Sequence, residues 1–336
     1  MSLHESIRQF CAHVGKNPLL VQGAGGNVSW KENDVLWIKA SGTWLADAAD
    51  KDIFVPVKLQ HLTRALQSQD YSVIPQTVEN TPLKPSIETL LHALMPHSIV
   101  VHLHAVEVLA HLVREDFKLS NYPTLDTSLN AKMVKYFKPG ADLAKAIAEQ
   151  LNETLGTRVI LLKNHGVIIG GESVQEINNI LDYLTTFFAS PYASPKLLTS
   201  PPPIRLANGI DFNPASDSKL HELSLDSVLV SRLKNNWVLY PDHVVFLGVQ
   251  PCIFQNVGDA KKELDGNDNP PDVIFVQGIG TFTREPITRA KIAQLICYYD
   301  VIKRQKNDVL LSTLTDAEIA ELVDWDAEKY RIKFAK

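Results

Sequence analysis

The sequence predicts an α/β fold, and three observations carry that prediction. Short apolar runs rich in β-branched residues alternate with segments of helical spacing. The order strand, glycine turn, strand, helix occurs twice, in RVILLKNHGVIIGGESVQEINNILDYLTTFF and in DVIFVQGIGTFTREPITRAKIAQLICYYDVI. With 336 residues, 45% of them hydrophobic and 21% charged, the chain can bury the core of one large domain or two modest ones.

Taken in order, residues 4–14 read as a short helix, and NPLLVQGAGGNVSW breaks into a glycine-rich loop before NDVLWIKASG supplies a buried strand. Ser86 is placed to cap a helix over IETLLHALM. SIVVHLHAV then has the bias of a strand, and AVEVLAHLVRE returns to helical spacing. PGADLAKAIAEQLNETLG reads as a helix ending at Gly156. RVILLKNHGVIIGG reads as two strands joined at a tight NHG turn, with a helix leaving from ESVQEINNILDYLTTFFA. The prolines and serines of SPYASPKLLTSPPPIRLANGIDFNPAS sustain neither period. The expected division is therefore a first α/β domain over 1–195, a linker over 196–216 and a C-terminal α/β extension over 217–336. That extension holds the second strand–turn–strand–helix unit, a candidate degenerate internal repeat with Ile279 where the first has His165.

Charge and composition exclude several function classes. Lys and Arg number 33 against 38 Asp and Glu, a net charge of −5 with no long basic block, which argues against a nucleic-acid groove. No apolar run approaches the roughly 20 residues of a membrane-spanning helix, and the start MSLHESIRQFCAHV has no export signature. Cys11, Cys252 and Cys297 are far apart and form no CxxC pair, so a reducing cytoplasm is the expected compartment.

The chemistry-bearing residues begin with His102 and His104. At i and i+2 of a strand they share a face and can converge on one ion, although such pairs also sit as ordinary polar residues. His165, at a turn where Gly166 lets the chain reverse, would complete a set of three imidazoles with coordination positions left open. Neutral imidazoles suit Zn2+, and cobalt, iron and manganese occupy similar sets. Glu88, opening the next helix upstream, reads either as a general base or as an acid stabilising the helix start. His92, one turn on, is read as lying beside the ligands rather than among them. GAGGNVS at 23–29, KASG at 39–42 and Ser86 offer backbone and hydroxyl donors, a phosphate nest if the loops converge and ordinary turns if they do not. None of these glycines keeps the GxGxxG spacing of a dinucleotide site. Asp242 and His243, in YPDHVVFLG, read as a turn leading into a buried strand and are given no chemistry.

With GGNVS, KASGTWL, PSIETLLH, HLHA and KNHGVIIGG in this order, the first 190 or so residues resemble the class II aldolase/adducin family. The likeness runs to the aldolase half of bifunctional rhamnulose-1-phosphate aldolase/dehydrogenase proteins. It implies an α/β/α sandwich and zinc held by His102, His104 and His165, with Glu88 as catalytic acid/base. It also implies a substrate phosphate at Asn27, Ser41, Gly42 and Ser86, and a homo-oligomer, tetrameric as in the family. The implied activity is cleavage of a rhamnulose- or fuculose-like ketose 1-phosphate to dihydroxyacetone phosphate and a short aldehyde. A sugar-phosphate epimerase or dehydratase at the same metal site, and a non-catalytic adducin-like scaffold, are the alternatives. Ile87 stands where family aldolases often carry a second serine, which removes one phosphate hydroxyl. Residues 200–336 lack a dinucleotide fingerprint, so oxidation of the aldehyde would fall to a separate protein. Tyr122, in SNYPTLD, is a candidate for the family's catalytic tyrosine.

Overall fold

In a computed structural model of the chain, which describes residues 2–152, 156–192, 199–267, 269–323 and 325–335, Ser2 caps the first helix by accepting from the Glu5 amide. That helix, α1 (Leu3–Gly15), buries Ile7, Phe10, Cys11 and Val14, whose i, i+3, i+4, i+7 spacing puts one apolar stripe against the sheet beneath. The chain continues through β1 (Asn27–Glu32), β2 (Val35–Lys39), β3 (Phe54–Lys58), α2 (Leu59–Gln67) and α3 (Thr89–Leu94). It then forms β4 (Ile99–Leu103), α4 (Val106–Leu112), β5 (Lys132–Val134), α5 (Ala141–Asn152), β6 (Val159–Leu162), β7 (Gly166–Gly171) and α6 (Val174–Phe187).

These strands make a seven-stranded sheet in the order β3-β2-β1-β4-β7-β6-β5. All neighbours pair antiparallel except β5 with β6. Apolar side chains cover both faces. Val28, Val101, Leu103, Val167 and Ile169 face α1 and α6 in one core, while Val100, Ile160 and Ile168 face α3 and α5 in another. The result is the expected α/β/α sandwich, buried on both sides, which is why its strands read as continuous apolar runs instead of alternating.

The rest of the chain adds β8 (Ile204–Arg205), β9 (Asp211–Pro214), α7 (Glu222–Leu225), α8 (Ser227–Asn235) and α9 (Pro241–Leu247). It ends with β10 (Ile253–Phe254), α10 (Val257–Leu264), β11 (Val273–Val276), β12 (Gly280–Arg284), α11 (Arg289–Lys303), α12 (Asp316–Leu322) and α13 (Asp326–Phe334). Five strands form a second sheet, β10-β11-β12-β9-β8. The extension is fastened to the sandwich through α4. One side of that helix, with Val108 and Leu112, belongs to the core under the first sheet. The other side, with Val106, Leu109 and the following Val113, packs with Leu220, Leu295 and Tyr298 of the extension.

Four local expectations need correction. Part of the stretch read as linker forms β8 and β9, whose two and four residues are too short to show a period. The tail of the glycine-rich loop, NVSW, is the start of β1, paired on both sides. Ser86 does not cap α3 directly: the cap position is Glu88, and Ser86 Oγ accepts from the Glu88 amide at 3.2 Å. The segment YPDHVVFLG is the helix α9 and not a turn entering a strand, with Pro241 in its first turn, where proline's missing N–H costs nothing. The helix end expected at Gly156 falls beyond residues 153–155, which lie outside the described residues. Both strand–turn–strand–helix units fold as a hairpin followed by a helix, β6-β7-α6 and β11-β12-α11. No helix among the described residues is long and apolar enough to cross a membrane.

Candidate metal centre and its pocket

β4 carries His102 and leads straight into His104, so the two rings leave the same side of the strand with centroids 5.1 Å apart. β7 pairs with β4, Leu103 facing Val167, and this register brings the preceding hairpin turn alongside. His165 sits in that turn, its ring 4.8 Å from that of His102 and 5.4 Å from that of His104. Asn164 makes the turn possible by taking a left-handed conformation (φ 51°), which asparagine tolerates better than most residues. A Cβ on Gly166 would stand 2.5 Å from the Leu103 carbonyl, so only glycine lets the turn approach the histidine strand this closely. One nitrogen from each of the three buried rings lies within 4.8 Å of the others.

The donor set fits a divalent transition metal. His102 Nδ1 donates to the Val167 carbonyl at 3.1 Å, which leaves Nε2 as the bare nitrogen. That Nε2, like His165 Nδ1, is buried without a hydrogen-bond partner. Burial lowers the pKa of His102 and, more strongly, that of His165, so both are neutral bases of the kind a cation needs.

Glu88 reaches the cluster from the entry to α3. Its Oε2 is 3.7 Å from His102 Nε2 and its Oε1 is 3.6 Å from His165 Nε2. Asn27 Nδ2 donates to Oε2 at 2.6 Å and fixes the carboxylate, whereas Oε1 has no hydrogen-bond partner. His92 is buried outside this group of three, its Nδ1 paired with Ser29 Oγ at 2.8 Å.

The two loops read as a nest do converge. Ser41 N donates to the Lys84 carbonyl and Ser86 N to the Lys39 carbonyl, which lays KASG against the PSIE turn. Asn27, Ser41, Gly42 and Ser86 all line one pocket with Glu88, His104 and His165. Tyr122 is elsewhere: its hydroxyl meets His111 Nδ1 at 2.7 Å, and its ring packs with Phe117 and Phe188. Ile279, the counterpart of His165, packs against the apolar core of the second sheet.

Sequence reasoning missed four residues of this cavity. Lys39 is wholly buried and its Nζ donates to the carbonyls of Ala24, Ala40 and Thr43, tying the two loops together. Burial pulls its pKa down to about 7. Asp242, Glu328 and Arg331 come from the extension. Arg331 grips Asp242 with two hydrogen bonds, 2.6 and 2.7 Å long, and Glu328 lies 3.4 Å from the same guanidinium. Burial works against charge on Asp242, but Arg331 and His104 outweigh it and hold its pKa well below the usual carboxylate range. Burial raises the pKa of Glu328. Pro241 inside the first turn of a helix was the one local signal for α9, and nothing local marks Arg331.

A sequence model of the Class II Aldolase and Adducin N-terminal domain matches residues 5–189. The uncharacterized oxidoreductase YuxG of Bacillus subtilis (strain 168) is 27% identical over 176 residues, 48% of this chain and 25% of that protein, so the match spans a quarter of the relative's length. Among solved structures, the N-terminal class II aldolase domain of a conserved protein from Thermoplasma acidophilum is 25% identical. It covers 55% of this chain and 90% of its own, with a TM-score of 0.46. The L-fuculose-1-phosphate aldolase from Thermus thermophilus is 19% identical and covers 55% and 91% of the two chains, with a TM-score of 0.38.

Proposed function

Because the chain belongs to the class II aldolase and adducin family, we propose that it is a metal-dependent carbon–carbon lyase acting on a ketose 1-phosphate, rhamnulose- or fuculose-like, to give dihydroxyacetone phosphate and a short aldehyde. The observation that carries this reading is the meeting of three buried imidazoles, an under-bonded glutamate and two donor-bearing loops in one cavity. His102, His104 and His165 would hold the cation, with Zn2+ the preferred ion for three imidazoles. When bound, the cation supplies Lewis acidity toward the substrate's oxygens.

The remaining roles fall to the chain. Glu88, pinned through Oε2 by Asn27 and free at Oε1, moves the proton: in the synthetic direction it takes one from the hydroxymethyl carbon of dihydroxyacetone phosphate, and in cleavage it returns one there. Asn27, Ser41, Gly42 and Ser86 receive the phosphate, with Lys39 beneath them holding the loops in place. Assembly as a homo-oligomer, a tetramer by family likeness, and a cytoplasmic setting belong to the same reading.

Elemental analysis of freshly purified protein, with cleavage assays on rhamnulose 1-phosphate and fuculose 1-phosphate from the same preparation, tests it. We expect near-stoichiometric zinc and release of dihydroxyacetone phosphate. An epimer or a dehydrated ketone as the product would replace the lyase with the epimerase or dehydratase. Absence of both metal and turnover would leave the scaffold.

A further inference from the structure

We infer that Asp242, supplied by the extension, is a positioning residue for His104 and so completes the metal centre from outside the family's own region. The inference rests on the metal-dependent reading above.

Three contacts place the carboxylate. Its Oδ2 lies 3.4 Å from His104 Nδ1, and both side chains are almost wholly buried, 3% and 5% exposed. The same oxygen accepts from Gln294 Nε2 at 3.1 Å, and Arg331 closes on both oxygens. Two of these three partners are donors, Gln294 and Arg331, and the third is the ring of a candidate ligand. A histidine that binds a cation through one nitrogen gains basicity and a fixed orientation when a carboxylate faces the other. A carbonyl serves His102 in this way, through Val167. His104 has a carboxylate instead, held in place by the Arg331 guanidinium, which bonds to both of its oxygens. The loop between them is shaped to permit the contact: a Cβ on Gly25 would stand 3.0 Å from Asp242 Oδ2 and 3.2 Å from His104 Nδ1. Asp242 lies beyond residues 5–189, so the extension is part of the centre and not an appendage to it.

Binding of cobalt(II) to the metal-stripped full chain tests the assignment, read as a dissociation constant and as the visible absorption of the bound ion. Asp242→Asn should weaken cobalt binding by about 10- to 100-fold and alter the absorption band. Placed on His104→Gln, the same change should add no further weakening, because its effect passes through that ring. Removing a carboxylate beside a buried guanidinium can itself unfold a chain, so Asp242→Asn is paired with Arg331→Met, and the loss of affinity should persist in that folded double variant. Wild-type affinity and spectrum in either variant, or losses that simply add to those of His104→Gln, would overturn the inference. A wild-type chain that takes up no cobalt would sink the metal-dependent reading itself, and this inference with it.

Discussion

Asn164 donates through Nδ2 to the backbone carbonyl of Leu239 at 2.9 Å, so the residue next to His165 in the hairpin turn is bonded to the segment that leads into Asp242. A second hydrogen bond from the same nitrogen, 2.6 Å long, goes to the Ser312 carbonyl. The turn that presents a candidate ligand is therefore set by the extension as much as by its own strands.

Asn164→Gly keeps the left-handed backbone open to the turn but deletes both side-chain bonds, so it isolates their contribution. The buried Leu239 carbonyl and the half-buried Ser312 carbonyl each lose a partner. We expect a loss of about 1–3 kcal/mol in urea unfolding followed by circular dichroism. A midpoint equal to wild type would show that the two bonds contribute nothing.

Glu88→Gln preserves the shape and the Asn27 contact while removing the proton acceptor. Cleavage should fall by about 10²- to 10⁴-fold, with zinc content unchanged. Residual turnover near the wild-type rate would refute the proton-transfer role, and a loss of zinc in the same variant would make Glu88 a ligand.

His243 is wholly buried with neither ring nitrogen hydrogen-bonded, edge-on to Trp237 at 4.3 Å and to Tyr298 at 4.7 Å. Burial alone pushes its pKa down to about 3. The unfolded imidazole takes its proton near pH 6.5, so between there and about pH 3 the unfolded chain binds more protons and the fold loses up to about 1.4 kcal/mol per pH unit. His243→Phe should remove that part of the acid slope and, by sparing two unsatisfied nitrogens, raise stability at pH 7 by about 1 kcal/mol. Urea midpoints measured from pH 7 to pH 4 check both effects; profiles that run parallel would contradict the first.

Gly42 has φ near +80°, and a Cβ there would stand 2.6 Å from Phe334 Cβ and 3.2 Å from the Arg331 carbonyl. Gly42→Ala should therefore push α13 off the KASG turn. Amide hydrogen exchange over 326–334 should quicken, with a stability loss of about 1–3 kcal/mol. Unchanged exchange there would mean that the helix does not bear on the turn.

What the sequence disclosed about the site follows from distance along the chain. His102 and His104 were legible because a strand's two-residue period puts them on one face, and His165 because NHG between apolar runs reads as a hairpin. Glu88 was legible through its place at a helix start. Asp242 and Arg331 are partners 89 residues apart, a pairing that no local period encodes. Lys39 looked like one more polar loop residue because nothing in KASG announces that three carbonyls will surround its ammonium group. The helix α9 was misread for a different reason: VVFL is as good a strand as a helix, and burial among Trp237, Tyr298 and Leu239 decides the matter only in three dimensions.

The two-sided burial of α4 bears on modularity. Cutting the chain after the α/β/α sandwich would strand Val106, Leu109 and Val113 in water, forfeiting about 1.5–3 kcal/mol for each larger side chain and leaving an adhesive stripe. The two portions therefore cannot be exchanged like cassettes. A relative that lives without an extension of this kind has to carry polar side chains, or a different covering, at the positions equivalent to these three, and those positions would tell the two kinds of protein apart in sequence.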